Sequence, residues 1–180
     1  MTSPKIGPVL RTERLELHRP QAADLEGLFN LTANPETRRH LGPAEPSMAD
    51  SFARLLRNAG SWSLYGYGTF VVRLPGAPAI VGTCGVFRSF RGFGKGLDDV
   101  AEAGWIIDAD HWGKGYAREA MEDALTWFDN EHGCQRVACM IEDGHTPSHK
   151  LALSLGFASY DRHDPEDGAA PLILYERLPG

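Results

Sequence analysis

The 180-residue chain has little cysteine and no long hydrophobic run. Cys84, Cys134 and Cys139 form no close CxxC pair, which excludes a disulfide scaffold and a paired-thiolate metal site and fits reduced thiols in a cytosol. Cys84 and Cys139 fall in strand-like runs, where a small buried hydrophobe is the expected role. No apolar stretch approaches the ~20 residues of a membrane-spanning helix. The opening MTSPKIGPVLRTERLEL has no apolar core behind a basic start, so no secretory signal is expected and a cytoplasmic location follows. Positive charge is also in the minority: 18 basic against 24 acidic residues give −6, which argues against a nucleic-acid partner. His111, His132, His149 and His163 show no metal-ligand spacing, so no metal is expected.

The remaining composition, 42% apolar and 23% charged, is that of a globular protein. At ~150 residues per domain the length predicts one domain. Leu15 to Arg19 alternates as a strand does, and Leu25 to Leu31 follows helical spacing up to Asn34-Pro35. A second helix is predicted from Ser47, paired with Asp50 as a cap, to Asn58, with Gly60 as its stop. Thr69 to Leu74 and Ile80 to Phe87 read as a hairpin around Pro75-Gly76-Ala77-Pro78. Phe90 to Asp99 reads as a flexible, glycine-bearing loop. Val100 to Ile107 is a strand and Tyr116 to Asn130 an amphipathic helix with Ala117, Ala120, Met121, Ala124, Leu125 and Phe128 on its apolar face. Arg136 to Ile141 is a strand, Thr146 to Leu155 a helix stopped by Gly156, and Leu172 to Leu178 a final strand. The alternation predicts a mixed sheet with helices on both faces.

Between strand and helix stands Trp112-Gly113-Lys114-Gly115-Tyr116-Ala117. A glycine turn that opens a helix leaves several backbone N–H groups unpaired at the positive end of the dipole, an arrangement suited to an anion. Lys114 and Arg118 add charge beside it, so an acidic chain can still hold a polyphosphate locally. Taken alone, the segment also reads as a plain tight turn with a helix cap. A P-loop would need glycine at Asp108 and Ser or Thr at Gly115, and a dinucleotide fingerprint would need a small residue at Arg118; neither pattern is met.

Several stretches together resemble the GNAT superfamily of acyl-CoA N-acyltransferases. They are the strand Ala101-Glu102-Ala103-Gly104-Trp105-Ile106-Ile107-Asp108, the glycine turn with Arg118-Glu119-Ala120, and Ser148 followed by Leu155-Gly156-Phe157. The opening Arg11-Thr12-Glu13-Arg14-Leu15-Glu16-Leu17, with Asp24, resembles the branch of ribosomal-protein N-terminal acetyltransferases. The likeness runs over roughly residues 10 to 178, which leaves 1–9 as a tail.

The resemblance implies a single-domain α/β (α+β) fold. Its sheet would be mixed and mostly antiparallel, with six to seven strands, helices on both faces and a splayed central strand pair. It also implies acetyl-CoA as acyl donor. The family's pyrophosphate loop falls on Trp112, Gly113, Lys114, Gly115, Tyr116 and Ala117, with Trp112 where Arg or Gln is usual, which leaves phosphate binding to backbone amides. The backbone of Trp105, Ile106 and Ile107 would pair with the pantetheine arm. His145 stands where the branch has an asparagine contacting that arm.

The implied reaction is direct attack of a primary amine, such as a peptide N-terminus, on the thioester carbonyl. Glu102 occupies the place of the family's amine-activating carboxylate and shares a strand face with Gly104 and Ile106; the alternative is a surface or edge glutamate. Ala152 stands where relatives carry a thiolate-protonating tyrosine, so Ser148 becomes the candidate donor. The absent tyrosine and the replaced asparagine motivate a second hypothesis, a catalytically silent acyl-CoA sensor. The segment Arg88 to Gly96 reads as a substrate gate or solvated loop, with an RNA grip as the remaining alternative. The amine acceptor and the assembly state, homodimer included, are not written in the sequence.

Overall fold

A computed structural model describes residues 7–180; of the predicted tail, positions 1–6 lie outside the described residues. Among the described residues, eight strands form one sheet in the order β1-β2-β3-β4-β5-β6-β8-β7. They are β1 (Leu10–Arg11), β2 (Glu16–His18), β3 (Thr69–Arg73), β4 (Ile80–Phe90), β5 (Asp98–Ile107), β6 (Val137–Glu142), β7 (Ala158–His163) and β8 (Leu172–Arg177). Every neighbouring pair is antiparallel except β5 and β6. The sheet is thus slightly wider than the six to seven strands expected. β1 is too short to show alternation. β7 (ASYDRH) carries largely exposed side chains and so lacks the half-buried pattern that betrays a strand.

Five α-helices complete the fold among the described residues: α1 (Leu25–Ala33), α2 (Pro35–Arg38), α3 (Met48–Tyr65), α4 (Tyr116–His132) and α5 (Thr146–Ser154). α2 starts where the sequence pattern predicts a stop, because Asn34 accepts the Glu36 amide and Pro35 takes the first helical position. The Ser47 cap of α3 is as expected, accepting the Asp50 amide at 3.0 Å. The expected stop at Gly60 is not. α3 runs on to Gly66, whose φ of 78° ends it. An interior glycine costs a helix only ~1 kcal/mol. Burial of Leu55 and Trp62 outweighs that, together with side-chain bonds from Asn58 and Ser61 to the backbone of Thr69 and Tyr67.

α4 buries Ala120, Met121, Ala124, Leu125 and Phe128 in one core cluster with Ala101, Ala103, Val137 and Cys139 of the central strands. Successive strand residues alternate in direction, so Glu102, Gly104 and Ile106 of β5 point to the other face. Cys84 and Cys139 are buried thiols pushed well above the usual range by desolvation, the inert packing role expected of them. The segment expected to be a flexible loop is instead built in. β4 continues to Phe90 and β5 begins at Asp98. Between them, Leu97 is fully buried in a second cluster with Ala138 and Leu174. No helix of the described residues is long and apolar enough to cross a membrane.

Candidate active site

The central feature is a wedge in the sheet. β5 and β6 pair in parallel only at Ala101↔Val137 and Glu102↔Ala138. β5 then continues to Ile107 while paired with β4, and β6 continues to Glu142 while paired with β8. Trp105, Ile106 and Ile107 are thus bonded on one side only, at Cys84, Thr83 and Gly82. The backbone groups they turn away from β4, apart from Ile107 O, which accepts the Trp112 indole N–H, form a strand edge in the middle of the sheet that an extended ligand can extend as an added strand.

The glycine turn stands at the mouth of this wedge. Gly113 (φ 74°) and Gly115 (φ 78°) take the left-handed conformation, and Gly115 is the residue before α4. Side chains adopt that region at a cost, which is why glycine is required here. None of the amides from Gly113 to Arg118 donates to an acceptor among the described residues, whereas Glu119 N–H bonds to Gly115 O at 3.1 Å. Trp112 donates its indole N–H to Ile107 O at 2.8 Å and so anchors the turn to the end of β5. The Lys114 ammonium lies on Asp110 O, and Arg118 makes a loose exposed pair with Glu122 at 3.5 Å, so both charges stay at the turn's surface.

A brace that the sequence does not announce lies beneath. Glu119 accepts from Thr12 Oγ1 (2.5 Å), Arg14 N–H (2.8 Å) and Arg14 Nε (2.7 Å). Arg14 also donates Nη1 to Lys114 O at 2.8 Å and lies over the Tyr116 ring. Partial burial pushes the Glu119 carboxyl up, but the bonds from Thr12 and Arg14 hold it below the usual carboxylate range. Arg14 and Glu119 are 105 residues apart in the chain, a separation that no local pattern encodes.

Ser148 lies on the other arm of the wedge, buried in the first turn of α5. Trp105 Nε1 donates to Ser148 Oγ at 3.1 Å and fills an acceptor position of the hydroxyl, whose own proton is then left to give. His145 stacks on His40 with ring centroids 4.2 Å apart. Its pKa is pushed down to about 4, first by burial and then by His40 and His149, against the opposing charge of Glu142. His145 is therefore a neutral imidazole near pH 7. The α2 segment closes over the wedge from one arm to the other. Thr37 Oγ1 accepts the Ala109 amide at 2.9 Å beyond β5, while His40 Nδ1 meets Glu142 Oε1 at 2.7 Å at the end of β6.

Glu102 is neither a surface nor an edge residue. It lies at the last paired position before the wedge, is 2% exposed, and presents both oxygens to Arg91, at 2.9 Å to Nε and 2.5 Å to Nη2. Such a two-point ion pair takes one acceptor position on each oxygen and leaves others for water. The remaining charges of the Arg88–Gly96 segment are also engaged. Arg88 pairs with Asp99 and Lys95 with Asp161, and Phe93 stacks on His163 at 3.9 Å. These pairs occupy the segment's basic groups and dock it on β7.

Residues 14–158 match the family described as acetyltransferase (GNAT) domain. A solved structure assigned to the GnaT-family acetyltransferases of Bordetella pertussis is 31% identical. It superposes with a TM-score of 0.83 over 94% of this chain and 98% of that one. The N-acetyltransferase p20 of Bacillus licheniformis is 27% identical over 149 residues, 82% of this chain and 81% of its own. The ribosomal L7/L12 α-N-protein acetyltransferase RimL, solved in complex with coenzyme A, shares the fold at 14% identity. Its TM-score is 0.72 over 97% of this chain and 98% of that one. The chain belongs to the GNAT acetyltransferase family. It is an acetyl-CoA-dependent acyltransferase.

Proposed function

We propose that the protein transfers an acetyl group from acetyl-CoA to the α-amine of a peptide or protein N-terminus, by direct attack within a ternary complex. The observation that carries this reading is the wedge itself: a one-sided strand edge at Trp105–Ile107, partner-free amides at its mouth, and a buried hydroxyl on its far arm. The amides of Gly113 to Arg118 would receive the diphosphate, with Lys114 and Arg118 adding charge. The backbone of Trp105, Ile106 and Ile107 would receive the pantetheine arm, with His145 at its side. Holding donor and amine in one cleft removes an entropic cost that reaches ~7–11 kcal/mol in favourable cases.

Two protons must move. The ammonium proton must leave before attack, and the proton released as the amide forms must reach the departing thiolate, with Ser148 passing it on and ending as a hydroxyl. An α-amine of pKa ~7.9 is roughly a quarter neutral near pH 7.4, whereas a lysine at ~10.4 is only ~0.1% neutral. Deprotonation therefore costs about 4 kcal/mol for lysine and under 1 for an α-amine. Because the α-amine needs so little help, Glu102 acting through water suits the α-amine and not the lysine. Ser148, already accepting from Trp105, would donate to the sulfur. A backbone N–H near Ile106 or Ile107 would stabilise the developing oxyanion. RimL, by its name, acts on an α-amine of a ribosomal protein, which supports the N-terminal reading and the affiliation with that branch.

Calorimetry with acetyl-CoA, followed by CoA release over a panel of amines, tests the proposal. Binding together with turnover of N-terminal peptides is expected. Binding without turnover of any amine would leave an acyl-CoA sensor, and absence of heat would remove the donor site.

A further inference from the structure

Beside the α2 segment that closes the wedge lies a groove of about 340 Å³ between that segment and α3, lined among others by Arg38, Arg54, Arg57, Glu45 and Asp50. Its size is within the range of small-ligand sites. Both carboxylates are already engaged. Glu45 accepts from Arg38 at 2.7 Å, and Asp50 accepts from Ser47 Oγ at 2.6 Å within the helix cap. Arg54 and Arg57, one helical turn apart on α3, have no carboxylate within ion-pair distance among the described residues. A chain of net charge −6 therefore presents a locally positive groove.

The groove is also connected to the chemistry. Arg54 is held below the usual guanidinium range, first by desolvation and then by the charges of Arg57 and Arg91, with Asp50 opposing. Solvent reaches both α3 side chains, so the desolvation reflects crowding by neighbouring atoms rather than enclosure. Arg91 is the partner of Glu102. The geometric link is the α2 segment: Arg38 lines the groove and follows Thr37, whose Oγ1 accepts the Ala109 amide beyond β5. An anion entering the groove offsets the mutual repulsion of Arg54 and Arg57. Guanidinium forks bind carboxylate and phosphate in two-point geometry.

We propose that this groove selects an acceptor that carries an anion beside its primary amine, a carboxylate or phosphate docking on Arg54 and Arg57 while the amine reaches toward Glu102. This rests on the acetyl-transfer reading and deepens it by naming the charge of the acceptor. The anion belongs either to an acidic side chain near a peptide N-terminus or to a small amino acid or aminophosphate.

The test is CoA release with matched acceptors: C-terminally amidated Ser-Glu-Asp against C-terminally amidated Ser-Gln-Asn, alanine against alaninamide, and phosphoethanolamine against ethanolamine. The expected result is a KM at least tenfold lower for the anionic member of one pair, rising with added NaCl as exposed charges are screened. The pair that shows it identifies the source. R54Q/R57Q should lower kcat/KM for that anionic acceptor at least tenfold and collapse the preference, with the KM for acetyl-CoA unmoved; R54K/R57K should restore part of it. Equal use of anionic and neutral acceptors by the native protein, or a preference that survives in R54Q/R57Q, overturns the proposal while acetyl transfer stands. Acetyl-CoA binding with no turnover of any acceptor overturns both.

Discussion

Trp105 donates its indole N–H to Ser148 Oγ at 3.1 Å, a single bond that joins the two arms of the open wedge. Trp105 belongs to β5 and Ser148 to the helix after β6, where the strands are no longer paired. Because the hydroxyl accepts from the indole, its proton is directed elsewhere, and the leaving sulfur is the group that needs it. Ser148→Ala is expected to lower kcat at least tenfold with little change in the KM for acetyl-CoA. Trp105→Phe keeps the ring and removes the donor, and should lower kcat by a smaller factor of ~3–10, the range of one neutral hydrogen bond. Near-normal kcat in Ser148→Ala refutes the donor role.

The Glu102–Arg91 pair yields a second expectation. Glu102→Gln keeps the shape of the side chain and removes its basicity, so turnover of an N-terminal peptide should fall at least tenfold between pH 6 and 9, the loss of a modest general base. It also leaves Arg91 without its anion, so the melting temperature should drop, since breaking a buried pair costs ~3–5 kcal/mol at most and less where solvent reaches one partner. Arg91→Gln provides the control: it breaks the same pair but keeps the carboxylate. Turnover in Glu102→Gln equal to that of the native protein across pH 6–9 would remove Glu102 from proton transfer.

At the glycine turn the expectation concerns the donor alone. Gly113→Ala places a methyl group in open space, yet forces alanine to φ 74°. The left-handed region costs ~1–2 kcal/mol, and relaxing it rotates the neighbouring amides away from one another. The KM for acetyl-CoA should rise at least fivefold while the KM for the acceptor stays near the native value. Lys114→Ala should raise it only two- to threefold, and less so at high salt, because an exposed charge contributes little. Unchanged affinity in Gly113→Ala, measured by calorimetry, would show that the amides do not hold the diphosphate.

Function is legible in the sequence where it leaves a local imprint. The turn from Trp112 to Ala117 stands out because its glycines open an amphipathic helix, although a plain capped turn has the same local pattern, and the apolar face of α4 matches its periodicity almost residue for residue. The wedge is expected only through family likeness, since nothing in Ala103–Ile107 or Cys139–Glu142 states that two strands stop pairing. What stays hidden depends on long separation. Arg14 and Glu119 meet across 105 residues, and His40 and Glu142 across 102, so neither brace has a pattern. The Arg88–Gly96 segment misleads for a different reason. Its glycines and cations suggest an open loop, but Leu97, Phe93 and three ion pairs tie it down, and those partners lie on β5, β6, β7 and β8.

His145 sets a pH dependence whose sign can be worked out. Folding moves its pKa from the ordinary 6.5 down to about 4, because burial beside His40 and His149 disfavours the cation. Above 6.5 the imidazole is neutral in both states and the native stability is whole. As the pH falls from 6.5 toward 4 the unfolded chain takes up a proton that the folded one refuses, so stability is lost through that window and the loss levels off below it. Each tenfold difference in proton affinity between the folded and unfolded chain corresponds to about 1.4 kcal/mol. His145→Asn keeps a hydrogen-bonding side chain and removes the titration, so it should narrow the gap between urea midpoints at pH 4.5 and pH 7.5. If wild type and variant lose the same stability over that range, the neutral imidazole stacked on His40 is not the group responsible, and the acid sensitivity must come from carboxylates such as Glu119 that the fold holds ionised.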